Sequence, residues 1–546
     1  MDGSLMDLRS GQLSPPYDGD DVVCRGSLRP QLHFSAPRGF INDPNGLFFD
    51  ETEGTWHLYY QYNPTDTVAG NQHWGHATSH DLYVWDHQPI ALSPASDAEG
   101  IFSGSVVLDP DNTSGFFPDQ KNGVLAYYTL NTADEETQHV AYSRDGGYTF
   151  TKHAAGNPVL AIGSHDFRDP KVFWYGDHWV MVVACAREHT VGIYTSPDGL
   201  EWSHASNFSH TGLLGSQWEC PNLVQMPVER EDQPLWLMYI SINPGAPQGG
   251  SIGQYFAGHF NGTHFTPVDS AARIADWAKD NYATQFFSGI PAGHKQVSIA
   301  WASNWQYTNK VPTGPTEGWA SVMSLPRTNW LRKSPDGTGY TLVSLPYNLD
   351  GLRSQNAHGC VERELGRSTG LSRTRVDGLL ARKSEGGDGS GAFLLDVKAT
   401  GLDLRSAPGG SINFTIFSTL SGEKITGGVR FEGPSGDATV WVDRGGIRGW
   451  DNPFYTNRFS AAHFLPPPVV SFDFQIVVDR SILEIFSVDG DKSATLIYYP
   501  EQLLDAVDVE LVDVNAEARV HVHLYPLRPT ASGATNGPRI ANCIAP

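Results

Sequence analysis

Cysteine is scarce in this sequence. Five residues (Cys24, Cys185, Cys220, Cys360 and Cys543) are scattered without CxxC or related spacing. That pattern lends no support to a disulfide scaffold or a thiolate metal site, and fits mostly reduced thiols with at most one or two disulfides. Positive charge is also short: 37 Lys and Arg stand against 60 Asp and Glu, a formal net charge of −23. Phosphate backbones and anionic membranes need a basic face, so nucleic acid and membrane partners are disfavoured. No apolar run approaches the roughly 18 residues of a membrane-spanning helix. The N-terminus, MDGSLMDLRSGQLSPPYDGDD, has neither a basic n-region nor an apolar h-region. The expectation is an intracellular protein as written, or an extracellular one if a leader has been removed. GxGxxG and Walker motifs are missing too, and no serine-nucleophile elbow is read in this strand-rich sequence, so neither a cofactor nor serine-hydrolase chemistry is expected. The partner expected is a small molecule, and a homodimer is compatible with these properties.

What is present is β-structure chemistry. At 546 residues the chain exceeds one ordinary core, so two domains are expected. Between residues 31 and about 330, helical periodicity gives way to short aromatic-rich runs: TWHLYYQYN, GVLAYYTL, KVFWYGDHWVMVVACA, LWLMYISI and QVSIAWASNW. Gly, Asn, Asp or Pro closes each one, which marks strands. A weak repeat lies beneath them. Ser79-His80-Asp81 leads to Trp85, Ser143-Arg144-Asp145 to Phe150, and Ser196-Pro197-Asp198 to Trp202, with the serines 64 and 53 residues apart. HFNGTHF near residue 260 is a degenerate fourth copy. That period suits one four-stranded propeller blade, so about 300 residues would hold roughly five. Residues 336–357 read as a linker. From 358 to 546, alternating runs such as SINFTIFST and VVSFDFQIVVDRSILEIF predict a β-sandwich whose carboxylates lie mainly in turns or on the solvent face. Residues 1–30 form an N-terminal extension, and 31–335 the propeller.

Three acids stand out. Asp43 sits in GFINDPNGLFFDE, whose Asn-Asp-Pro-Asn-Gly centre is turn chemistry and reads as a loop tip between two strands. Asp169 precedes Pro in HDFRDPKVFWY, and Glu219 lies between Trp218 and Cys220 in GSQWECPNLVQMP. The separations are 126 and 50 residues, yet acids from different blades can converge on a propeller's central funnel. Taken singly, each is equally a turn or surface acid. Two carboxylates of unequal pKa are what glycoside hydrolysis requires. Beside Trp218, Glu219 is expected to have a raised pKa and act as acid/base. Among turn amides, Asp43 is expected to stay ionised. Gln61, Asn63, Trp74, Phe102, Ser103, Arg168, Asn304, Trp305 and Tyr307 could bond sugar hydroxyls or stack on ring faces, although core packing is the commoner fate of such aromatics. His73, His76 and His80 have no helix to bring them together, so no metal site is expected.

At these motifs the sequence resembles glycoside hydrolase family 32, which comprises invertases, exo-inulinases, levanases and related fructosyltransferases. NDPNG, FRDP and WECP occur in the family's order. QYNP, WGHATSHDLYVW, FSGS, SINPGAP, WASNWQYTNKVPT, SVMSLPR and VDRSILEIF add further matches across residues 31 to 525, in the manner of the yeast and fungal invertase branch. The resemblance implies a five-bladed propeller followed by a β-sandwich. It also implies retaining chemistry at C2 of a terminal β-fructofuranosyl unit. Asp43 would then be the nucleophile, Glu219 the acid/base and Asp169 the stabiliser of the transition state. Asn42, Gln61, Trp74, Ser103, Arg168 and Tyr282 would line or adjoin the fructose pocket. Sucrose and short fructooligosaccharides are the expected substrates, with an exo-inulinase or levanase as the alternative specificity. A non-catalytic fructan-binding lectin is the alternative from another class, and a sialidase would need an arginine cluster that this acidic chain lacks. One departure is Ala69, where the family usually has Trp. It hints at altered acceptor handling and hence transfructosylation, a difference of a few kcal/mol at the transition state.

Overall fold

The computed structural model describes residues 26–528, except 292, 335–336, 338, 354–360, 367–370, 377–390, 404–408, 434, 466–469, 488 and 516. Residues 1–25 and 529–546, including most of the expected N-terminal extension and the last part of the expected sandwich, lie outside the described residues. The fold is all-β, and no described helix is long and apolar enough to cross a membrane.

Seven sheets form in two groups. Five antiparallel sheets occupy residues 39–346, each led by one strand: Gly39–Asp50, Gly100–Leu108, Phe167–Tyr175, Trp218–Met226 and Tyr282–Phe286. Neighbouring leading strands pack together in that order, and the last packs against the first. Backbone bonds tie that return. Phe49 N donates to Ser288 O, Ser288 N donates to Leu47 O, and Gly39 pairs in parallel with Trp319. The sequence assigned Tyr340–Pro346 to the linker. It is instead the outer strand of the fifth sheet, paired with Arg327–Lys333, with its central residues Leu342, Val343 and Ser344 buried there.

The repeat seen in the sequence is a recurring turn at the end of the third strand of successive sheets. In each copy the serine hydroxyl meets the aspartate carboxylate: Ser79 with Asp81, Ser143 with Asp145, Ser196 with Asp198. The carboxylate also accepts from backbone amides further on, at Tyr83 and Val84, Thr149, and Leu200 and Glu201. The indoles of Trp85 and Trp202 then donate to the carbonyls of Leu82 and Gly199. In the fourth sheet Asn261 replaces the acid and accepts from the amides of Thr263 and His264. Short polar side chains thus substitute for ladder bonds where the chain reverses.

Two six-stranded antiparallel sheets make up the second group, spanning Val361–Gly366 to Arg519–Pro526. Strands such as Ser411–Phe417 bury alternate residues, and both sheets contribute to one apolar core. Trp277 and Ala278 of the first group insert into that core. The expectation that this region's carboxylates lie in turns or face solvent does not hold for Asp479, Glu484 and Asp508, which are buried on strands. Glu484 and Asp479 belong to the junction between the two groups. There Arg327 binds Asp276 and Glu484, and His33 binds Asp479.

Candidate active site

The NDPNG segment is no loop tip. It lies inside the 12-residue leading strand Gly39–Asp50, whose pairing slips between Ile41 and Pro44 and again between Asn45 and Phe48. Proline lacks a ladder N–H, and a bulge is where a strand tolerates that loss. Gly46 has φ +52, and a Cβ there would come within 2.6 Å of Val106 and 2.8 Å of Tyr59, so glycine is required twice over.

The same device recurs around the ring. Pairing slips between Ile101 and Gly104 at Ser103, opposite Arg168 and Lys171 at Asp169, between Glu219 and Asn222 at Cys220, and between Tyr282 and Gln285. Three residues in these bulges have left-handed backbone: Asp169 (φ 67), Cys220 (φ 49) and Ala283 (φ 51). Such conformations cost roughly 1–3 kcal/mol each and persist where surrounding structure imposes them. Each of the five leading strands has one such bulge near its N-terminal end, which re-aims side chains at one end of the ring.

There the three acids meet. Asp43 accepts from Ser103 Oγ (2.8 Å), Asn42 Nδ2 (3.1 Å) and Cys220 Sγ (3.3 Å). The Cys220 thiol also lies 3.6 Å from Asp169 Oδ2, and its amide donates to that oxygen at 2.9 Å. Glu219 accepts from Arg168 Nη2 (3.0 Å), Gln217 Nε2 (3.1 Å) and the Tyr282 hydroxyl. Arg168 reaches on to Glu136 at 3.1 Å.

Electrostatics differ from the sequence expectation. Asp43 is not simply held ionised by turn amides. Burial pushes its pKa up, Ser103 pulls it down, and the nearby Glu219 charge pushes it up again. Burial drives Asp169 further, to about 8, against the pull of Arg168 and with added repulsion from Glu219 and Asp43. Nor does Trp218 form the surroundings of Glu219. Successive residues of a strand face opposite ways; Trp218 is buried in a separate core and donates to Leu213 O, so polar and ionic groups surround the Glu219 carboxylate.

The remaining candidates divide. Asn42, Ser103, Arg168 and Tyr282 touch the acids directly. Phe102 and Trp305 are half-buried, and Trp305 packs on Trp301 at 4.8 Å. Trp74 is fully buried, and its indole N–H holds the Phe102 carbonyl at 3.0 Å. Gln61 likewise holds the Ile101 carbonyl. Both side chains therefore fix the Ser103 strand from behind. Asn304 ties Ser251 to Lys279, Tyr307 binds Asp280 beside Arg444, and Asn63 caps its own loop. The three histidines diverge: His73 bonds Asn71, His76 bonds His57, and His80 bonds Gly54. Sequence reasoning missed Glu136, Gln217 and the bridging role of the Cys220 thiol. Only the cysteine's place in WECP hinted at it.

Comparison with known proteins agrees with this geometry. Residues 33–346 match the glycosyl hydrolases family 32 N-terminal domain, and residues 383–526 the glycosyl hydrolases family 32 C-terminal domain. The chain is 40% identical over 488 residues to an extracellular exo-inulinase of Meyerozyma guilliermondii, covering 87% of this chain and 90% of that one. It is 38% identical over 509 residues to an invertase of Debaryomyces hansenii, covering 88% and 91%. Its fold matches a β-fructofuranosidase from Schwanniomyces occidentalis complexed with fructosyl-erythritol, with a TM-score of 0.80, 37% identity and coverage of 91% and 97%. With both family regions matched in order along one chain, this protein belongs to glycosyl hydrolase family 32.

Proposed function

We propose that the protein is a retaining β-fructofuranosidase that releases terminal β-fructofuranosyl units from sucrose and short fructooligosaccharides. The observation that carries this reading is the meeting of Asp43, Asp169 and Glu219 at one end of the ring, joined through the Cys220 thiol, Arg168 and Tyr282. Asp43 attacks C2 of the fructosyl unit while Glu219 delivers its proton to the departing glycosidic oxygen, breaking that bond and leaving a fructosyl ester on Asp43. Glu219, now ionised, takes a proton from water, whose oxygen attacks C2 and frees Asp43. Asp169 holds fructose hydroxyls and stabilises positive charge at the ring. Arg168 and Tyr282 orient the Glu219 carboxyl, and Ser103 and Asn42 orient that of Asp43.

The five sheets are taken as the blades of a five-bladed propeller, a reading supported by the closed order of their leading strands. The propeller then runs from about residue 31 to 346, and the two six-stranded sheets form a β-sandwich from 361 onward. The relatives include both an invertase and an exo-inulinase, so exo-inulinase specificity is the second reading. Ala69 sits partly buried at the edge of the cluster containing Phe40, Trp301 and Trp305. A small residue there supports room for a sugar acceptor, and hence fructosyl transfer beside hydrolysis.

Sucrose turnover is the test. Asp43→Ala and Glu219→Gln should each lower it by at least about 10³-fold while the fold survives. Retained turnover in either variant refutes the assignment. At high sucrose, glucose in excess over fructose with a trisaccharide appearing marks transfer, whereas equal glucose and fructose marks hydrolysis.

A further inference from the structure

The C-terminal ends of four of the leading strands, all but Gly39–Asp50, line a cavity of about 590 Å³ at the far end of the ring from the acids. That is within the range of about 300–1,000 Å³ typical of small-molecule sites. No residue of the acid cluster lines it.

Its walls are aromatic and rigid. Trp174 is 43% exposed, with its indole N–H tied to Gly176 O and Trp179 packed edge-on behind it at 5.0 Å. Trp236 is half-buried and braced by Phe173 at 5.3 Å and Tyr175 at 5.8 Å. Gln225 adds an amide to the lining. Lys171 lines the cavity too, although the residue is almost wholly buried. Its ammonium donates to Phe286 O (2.6 Å) and, at 3.4 Å, to Gln285 Oε1. The three N–H groups of the protonated side chain and two acceptors leave one donor without a partner among the described residues, and no described carboxylate acts on it.

We propose that this cavity is a second carbohydrate site, which takes a neutral oligosaccharide with its ring faces on Trp174 and Trp236 and a hydroxyl on the spare Lys171 N–H. Indole faces bind the C–H face of a sugar, while a few placed polar groups fix its orientation. An anion fits the site less well. The chain carries −23 net charge, and Asp111 lies in the cavity wall. Burial also lowers the Lys171 pKa to about 7, so the positive charge that comes with the third N–H is only partly present at neutral pH, too little to select an anion. The proposal rests on the carbohydrate-active reading above, and it places a longer fructan chain in contact with the enzyme at both ends of the ring.

Calorimetry with an inulin-type pentasaccharide tests it, using Asp43→Ala to arrest turnover. Two sites per chain are expected. Adding Trp174→Ala and Trp236→Ala should leave one, and adding Trp174→Phe alone should leave two. With Asp43 intact, the Trp174→Ala/Trp236→Ala chain should turn over sucrose unchanged, which also reports that it has folded. If it does not fold, Trp174→Ala alone decides, because that exposed indole carries little packing. A single site in the Asp43→Ala chain, or two sites surviving loss of the indoles, overturns the proposal. Failure of the native chain to cleave sucrose would overturn the catalytic reading instead, while the site count would still judge this one.

Discussion

Two buried ionic clusters in this molecule are built in opposite ways. At the junction of the two groups of sheets, two cations, Arg327 and His33, face three carboxylates, Asp276, Glu484 and Asp479. Arg327 binds Asp276 (3.1 Å), Glu484 (3.0 Å), Ser493 and Thr495. Asp479 accepts from the amides of Gln31, Leu32 and His33 and from the His33 ring. Burial works to raise the Glu484 pKa, yet Arg327 and His33 hold it below the usual carboxylate range. Around Asp43, Asp169 and Glu219, the cation Arg168 pairs with Glu219 and is itself shared with Glu136, and burial with mutual repulsion pushes Asp43 and Asp169 up. In the first cluster every carboxylate has a cationic or N–H partner, and the cluster holds the two groups together. The second is left under-compensated, and that imbalance favours carboxyl groups able to exchange protons near neutral pH.

The contrast can be broken at the junction first. Arg327→Met leaves Asp276 and Glu484 buried without their cation, and should cost about 3–5 kcal/mol of stability in chemical denaturation, with the active-site geometry intact in whatever remains folded. A loss below about 1 kcal/mol would mean that the junction is not the stabilising cluster described here.

Asp169→Asn probes the other side. Sucrose turnover should fall by about 10²- to 10³-fold, yet the melting temperature at pH 8 should rise. The folded Asp169 pKa lies above its ordinary value, so its contribution is fully present below about pH 4 and is lost as pH rises through about 8. Removing the charge removes that loss. A melting temperature that falls at pH 8 would count against the under-compensated description.

His33 supplies a smaller effect. Burial alone would lower its pKa, but Asp479 and Glu484 raise it to about 9. Its stabilisation is therefore complete below about pH 6.5 and fades as pH rises through 9. His33→Gln should flatten the stability profile between those values, by on the order of 2 kcal/mol. An unchanged slope would show that the ring is not charged in the fold. The smallest effect expected is for Cys220→Ser, which keeps a donor between Asp43 and Asp169. Its kcat/KM should move by about 1 kcal/mol or less, whereas Cys220→Ala should cost more.

Much of the architecture was legible from residue pattern. TWHLYYQYN and LWLMYISI are strands Thr55–Asn63 and Leu235–Ile242 to the residue. The Ser-x-Asp turns recur once in each of three successive sheets, the period that their spacing suggested. Asp43, Asp169 and Glu219 were also identified in the sequence, through their motifs. The NDPNG segment was misread as a loop tip because Pro, Asn and Gly mark a turn and a bulge with the same chemistry. Tyr340–Pro346 was assigned to the linker because its partner Arg327–Lys333 comes from another run, and pairing is not local information. Trp74 and Tyr307 carry no sign in sequence that they are buried.

The sequence by itself thus determined the strand content, the turns, and the chemical identity of the acids, because side-chain type and short-range periodicity are local properties. Tertiary structure alone decided that bulges in three different sheets bring those acids together, that Cys220 links two of them, and that Glu219 faces Arg168 and Tyr282 rather than Trp218. The reason is physical. Burial and charge–charge repulsion depend on distances between strands tens to hundreds of residues apart, and those distances exist only once the ring has closed.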